Sequence, residues 1–147
     1  MSYQGKISFF PIRGDLNTNV RWFGKQSPYI KVRLGDQKKK CKANYDGGKH
    51  PTWTREELSL ELSSDSWEVQ VDCYDSIYIG RDTNLGRGYI NVHKLIEQGD
   101  SEGVETVAVR DYKDNLTGNI VIDWRFHKDQ KILYDYVAPS KKDANIG

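Results

Sequence analysis

The sequence predicts an all-β fold, an antiparallel sandwich of eight strands with one short helix and a C-terminal tail, on three observations. Apolar residues recur at every second position, the period of a strand with one buried face, and not near 3.6. The clusters GD, DGGKHP, SSDS, GRDTNLG, QGDSEG and KDNLTG are rich in turn-forming residues and return at roughly dozen-residue intervals, the spacing of hairpins in a sandwich. With 147 residues, 37% of them hydrophobic, the chain suits one domain that buries roughly 70% of its unfolded surface.

The first strand is expected over 6–12, KISFFPI. In SPYIKVRLG, Ile30, Val32 and Leu34 alternate with Tyr29, Lys31 and Arg33, so a second strand ends at Gly35. The third, 37–43, would place Lys38, Lys40 and Lys42 on one face and Lys39 and Cys41 on the other. Next come 56–62 and the segment WEVQVDCY, whose inward set is Trp67, Val69, Val71 and Cys73. Segments 86–92 and 104–110 supply two more, and GNIVIDWRF closes the series with Ile120, Ile122, Trp124 and Phe126 inward. In VHKLIEQG, Val92, Leu95 and Ile96 fall at helical spacing ahead of a Gly99 C-cap, which predicts one helix. Pro51 follows the Gly47-Gly48 turn with a fixed φ, and Trp53 is expected to plug one end of the sandwich. Past Phe126 the period stops, so the domain is 1–127 and 128–147 a tail. The composition of its last eight residues predicts disorder, while Ile132, Leu133, Tyr134, Tyr136 and Val137 are available to pack on the body or on a partner.

Composition excludes several function classes. A balance of 22 basic and 21 acidic residues is not that of a general nucleic-acid binder, so any charge effect is local. Residues 21–42 hold eight Lys or Arg against one acid, and 55–75 hold one Arg against seven acids. No apolar run could span a membrane, and MSYQGK has neither a secretory core nor a second-position glycine, so a soluble cytosolic protein is expected. Cys41 and Cys73 read as reduced thiols. His50, His93 and His127 stand far apart, outside any catalytic motif. GRDTNLGRG lacks the Lys-Ser/Thr of a phosphate loop. The chain therefore reads as non-catalytic, with no small-molecule substrate and no nucleic-acid partner.

In order, GKISFFPIRGDL, SPYIKVRLGDQKKKCKA, HPTWTREELSLEL, WEVQVDCYD, NLGRGYINV and GNIVIDWRF resemble the C2 domain, a calcium- and lipid-binding Greek-key β-sandwich, over residues 5–126. The most specific pieces are the Ser-Pro-Tyr strand, the Lys-rich strand after Gly-x-Gln, the Pro-x-Trp corner and the Leu-Gly after an acidic loop. Beginning on the GKISFF strand and ending on GNIVIDWRF is similar to the type II permutation. The resemblance implies a calcium site of roughly five aspartates on two loops, because this hard cation takes about six to eight oxygens. Matched residue by residue, the site is degenerate. Arg21 and Ser27 stand at the first-loop aspartates, and the Asp-x-Asp of the third loop reads Cys73, Tyr74, Asp75. Asp82 matches the later aspartate in a loop about two residues longer than the family's usual one. Calcium is not expected as a cofactor; Arg21 is instead expected to replace the ion by bridging Asp75 and Asp82.

Two loop tips are apolar: Trp22 and Phe23 beside Lys25, and Ile77, Tyr78 and Ile79 beside Arg81. Such groups suit a lipid interface and suit a protein surface equally. The resemblance further implies anionic phospholipid headgroups on the Lys38, Lys40 and Lys42 strand. The expected function is thus calcium-independent docking to anionic membrane lipid. Two alternatives stay open: a scaffold subunit of a cytoskeletal or ciliary assembly, and calcium-dependent phospholipid binding.

Overall fold

A computed structural model of the protein describes residues 4–63 and 67–128. Eight strands follow in order, β1 (Gly5–Leu16), β2 (Pro28–Leu34), β3 (Gln37–Lys40), β4 (Leu58–Leu62), β5 (Glu68–Asp75), β6 (Thr83–Asn91), β7 (Glu102–Arg110) and β8 (Leu116–Lys128), with helix α1 (Val92–Glu97) between β6 and β7. The proposed tail beyond Lys128 lies outside the described residues.

All pairings are antiparallel, in the order β3-β2-β5-β6-β7-β8-β1-β4. Four strands form each layer, and the layers meet through the single pair Arg87 and Arg110. The first and last strands are neighbours. Period two is the cause of the layering. Ile30, Val32 and Leu34 of β2 and Ile120, Ile122 and Trp124 of β8 all enter one core between the layers.

Several expectations shift. β1 runs to Leu16, four residues past the expected end at Ile12, because a register shift between Pro11 and Arg13 lets the ladder continue beyond a residue that cannot donate. Trp67 precedes β5 and is half-buried with its ring edge-on to His93, rather than filling the core. Phe126 is likewise half-buried. β3 stops at Lys40, so Lys42 lies past the strand. The helix closes early: its C-cap is Gln98, and Gly99, at φ +85°, donates to the Ile96 carbonyl. Trp53 does plug the sandwich, donating from Nε1 to the Pro28 carbonyl at 2.9 Å.

Ladder register gathers four loops at one end. Leu16 pairs with Gly118, Pro28 with Asp75, and Asp75 with Thr83, while the Asn44 amide donates to the Pro28 carbonyl. The loops 17–27, 41–57, 76–82 and 111–115 are therefore neighbours.

Candidate functional site

Asp75 ends β5 and is 1% exposed. A buried carboxylate requires donors on its oxygens. Arg21 supplies two, Nε to Oδ2 and Nη2 to Oδ1, each at 2.9 Å, and the Ser27 amide gives Oδ1 a third at 2.7 Å. Nη2 also donates to the Ser76 carbonyl at 2.6 Å, so one guanidinium ties loop 17–27 to loop 76–82. The same hydrogen bond to Asp75 holds the Arg21 pKa above its ordinary value.

Asp82 is not part of this bridge, contrary to expectation. It accepts from the Tyr29 hydroxyl at 2.5 Å and from the Ile77 amide at 3.1 Å. The long loop curls it over the hydroxyl of Tyr29, whose ring stacks on Tyr74. The Tyr29 hydroxyl keeps the Asp82 carboxyl below the usual range, and burial, then Asp82, pushes the Tyr29 hydroxyl up.

These residues do not fit a calcium ion. Both Asp75 oxygens are occupied by Arg21 and Ser27, Asp82 faces elsewhere, and among the described residues no three His, Cys, Asp or Glu side chains converge.

Sequence reasoning missed Gln26, which organises the first loop while fully buried. Its Oε1 accepts from the Val20 amide at 3.1 Å, and its Nε2 donates to the carbonyls of Thr18 at 2.8 Å and Gly48 at 2.9 Å. Between Lys25 and Ser27 a glutamine looks solvated; only the approach of loop 41–57 reveals its role.

Above this base the tips project. Trp22, Phe23, Tyr78 and Ile79 are 88%, 84%, 101% and 84% exposed. Ile77 departs from expectation: it is half-buried and turned toward Gly80, anchoring the loop. Lys25 and Arg81 are exposed beside the tips, the Lys25 stem lying along Gly48.

The lysine strand is broader than its sequence. Register sets Lys40 opposite Lys31, Lys38 opposite Arg33, Lys31 opposite Asp72, and Asp72 opposite Arg87. The outer face of one layer thus collects Lys31, Arg33, Lys38, Lys40 and Arg87. Its one buried acid, Asp72, is held by Arg87 Nε at 2.6 Å, Gln70 Nε2 at 2.7 Å and Asn84 Nδ2 at 3.3 Å. Tyr29 and Tyr74 stack at 5.6 Å, and the ammonium groups of Lys40 and Lys31 stand 5.6 and 5.7 Å from their respective ring centroids. Lys42 remains near the patch, since with Lys40, Tyr29 and Asp82 it lines a cleft of about 360 Å³.

Comparison with known proteins accords with this architecture. The C2 domain profile matches residues 12–107. Elicitor-responsive protein 1 of Oryza sativa subsp. japonica is 27% identical over 122 residues, covering 80% of this chain and 73% of that protein. The 16 kDa phloem protein 1 of Arabidopsis thaliana is 27% identical over 99 residues, covering 65% of this chain and 62% of its own length. Among solved structures, a C2 domain of a plant extended synaptotagmin 1 superposes with TM-score 0.72 at 15% identity, over 88% of this chain and 98% of that one. The fold also forms part of a human GIVD cytosolic phospholipase A2, with TM-score 0.68 at 14% identity, over 87% of this chain and 17% of that one. A family profile that matches more than half of the sequence, on a sandwich of the same topology, shows that this chain belongs to the C2 domain family.

Proposed function

We propose that the protein is a non-catalytic, calcium-independent docking module that binds anionic phospholipid membrane as a peripheral protein of the cytoplasm. One observation carries this reading: the exposed apolar tips of loops 17–27 and 76–82 stand on a base closed by Arg21 on Asp75. In the family that position answers to the metal, and here a fixed cation already holds the loops together. The tips are consequently poised without an ion. Trp and Tyr rings favour the headgroup level of a bilayer, and exposed apolar side chains lose contact with water there. Lys31, Arg33, Lys38 and Lys40, with Lys25 and Arg81 at the loops, supply attraction of about 1 kcal/mol per cation near an anionic surface.

Vesicle co-sedimentation with neutral and anionic lipid, each with calcium and with chelator, tests the proposal. Binding to anionic vesicles that is indifferent to chelator, and lost on combining Trp22→Ser with Ile79→Ser, is expected. Binding only with calcium would overturn the metal-free reading. No binding in any arm would direct attention to the same tips as contacts within a protein assembly.

A further inference from the structure

Of the ten large hydrophobic residues exposed among the described ones, all but Tyr89 and Val104 lie in or beside the loops of one end. Two of these aromatics, Tyr45 and Tyr112, stand on loops outside the docking pair, and Tyr112 of the β7–β8 turn is 90% exposed. The turn does not need that ring. Asp111 Oδ1 accepts from the amides of Lys113 and Asn115, both at 2.9 Å, the Asp111 amide donates to the Asn115 carbonyl at 2.9 Å, and Asp114 takes the left-handed conformation at φ +66°. The turn is also tied to the first loop, since Asn17 Nδ2 donates to the Leu116 carbonyl at 2.7 Å and the Asn17 amide to the Thr117 carbonyl at 2.8 Å. A turn held by its own hydrogen bonds and anchored beside loop 17–27 thus displays a tyrosine whose ring is left exposed to solvent.

We propose that Tyr112 is a membrane-interface anchor on a further loop, so that the protein meets an anionic bilayer with this whole end and not with loops 17–27 and 76–82 alone. The inference rests on the docking reading above. A bilayer is the occupant these features favour. The tips rise from separate loops as projections, which a deformable lipid surface can surround. The Lys113 ammonium stands 5.5 Å from the Tyr112 ring centroid, so the ring carries its own cation for lipid phosphate, as Lys25 and Arg81 serve the other tips. Tyrosine suits such a position because its ring can enter the acyl boundary while its hydroxyl stays among headgroups. A third point of contact would also fix the tilt of the sandwich on the membrane, which two adjacent loops leave free to rock.

The test uses the full chain and vesicles of neutral lipid containing anionic phospholipid. Tyr112→Ala should weaken binding on the order of fivefold with an unchanged unfolding midpoint, and Tyr112→Phe should retain most of it. Because Cys41 and Cys73 are buried, Tyr112→Cys offers one reactive thiol for a polarity-sensitive fluorophore. Its emission should shift to the blue on binding and be quenched by lipids bearing nitroxide near the headgroup. If Trp22→Ser weakens binding while Tyr112→Ala binds like the unaltered protein and the probe stays in water, the anchor is overturned and the docking reading stands. If the unaltered protein binds no vesicle, both fall.

Discussion

A carboxylate as buried as Asp75 persists only while its charge is answered, and Arg21 with the Ser27 amide answers it. Arg21→Ala should therefore cost about 2 to 4 kcal/mol by urea unfolding, since it strands the charge of its partner. An unchanged midpoint would show that water replaces the guanidinium at no cost. The Tyr29 and Asp82 pair makes a pH-dependent contribution with two limbs. The folded Asp82 carboxyl titrates below its ordinary 3.8, so its contribution is complete above that value and is lost as pH falls through the folded one. The folded Tyr29 hydroxyl titrates above its ordinary 10.0, so its contribution is complete below that value and is lost as pH rises through the folded one. Stability of Tyr29→Phe measured across pH should show both limbs flattened, with a loss of about 1 kcal/mol near neutrality. Retention of the acid limb would assign the low Asp82 pKa to the Ile77 amide.

At the scale of elements, the sandwich is held at its two open sides by different devices. Between β3 and β4, the Gln37 side chain imitates a ladder, with Nε2 donating to the Glu61 carbonyl at 2.8 Å and Oε1 accepting from the Glu61 amide at 2.6 Å. Between β6 and β7 the device is close approach. A Cβ at Gly88 would collide with the carbonyl oxygen of Ala108 and with a Val107 methyl. Backbone cannot yield as a side chain can, so Gly88→Ala should destabilise by about 2 kcal/mol or more, read as a lowered thermal midpoint. A midpoint equal to that of the unaltered protein would mean that the layers separate freely there. Strand number and most inward residues were legible because each strand has one wet face; Trp67, just ahead of β5, was misplaced. The length of β1 was not, because the shift that carries it past Pro11 depends on how β8 lies beside it.

Across the whole molecule, a formal charge of +1 conceals a strong polarity. Pairing of β2, β3, β5 and β6 assembles five cations on one outer face, whereas Glu57 and Ser59 of the other layer meet Ser8 and Lys6. Binding to anionic vesicles should consequently fall at least about tenfold between about 0.1 and 0.5 M salt, as the screening length shrinks from about 10 Å toward a few ångströms. Lys38→Glu with Lys40→Glu should flatten that dependence, while Trp22→Ser should lower binding at every salt concentration without changing the slope. A salt-independent affinity would remove the basic face from the docking surface.

The alternation of apolar residues by itself determined the strands, most of their inward sets and the turns between them, because a strand buried on one face writes its period into the chain; Trp67, which precedes β5, and the half-buried Phe126 are the exceptions. The replacement of an acid by Arg21 was equally plain. Which acid Arg21 reaches was decided only by tertiary structure: Asp75 ends β5 with its side chain toward the loop base, whereas Asp82 is curled over Tyr29. Gln26 was hidden for the same reason, as its partners belong partly to a loop more than twenty residues away. Register, finally, turned a run of lysines into a face, since Lys31, Arg33 and Arg87 join Lys38 and Lys40 only once neighbouring strands are paired. Periodicity is a local property that one strand carries alone, while a site is a juxtaposition that no single segment contains.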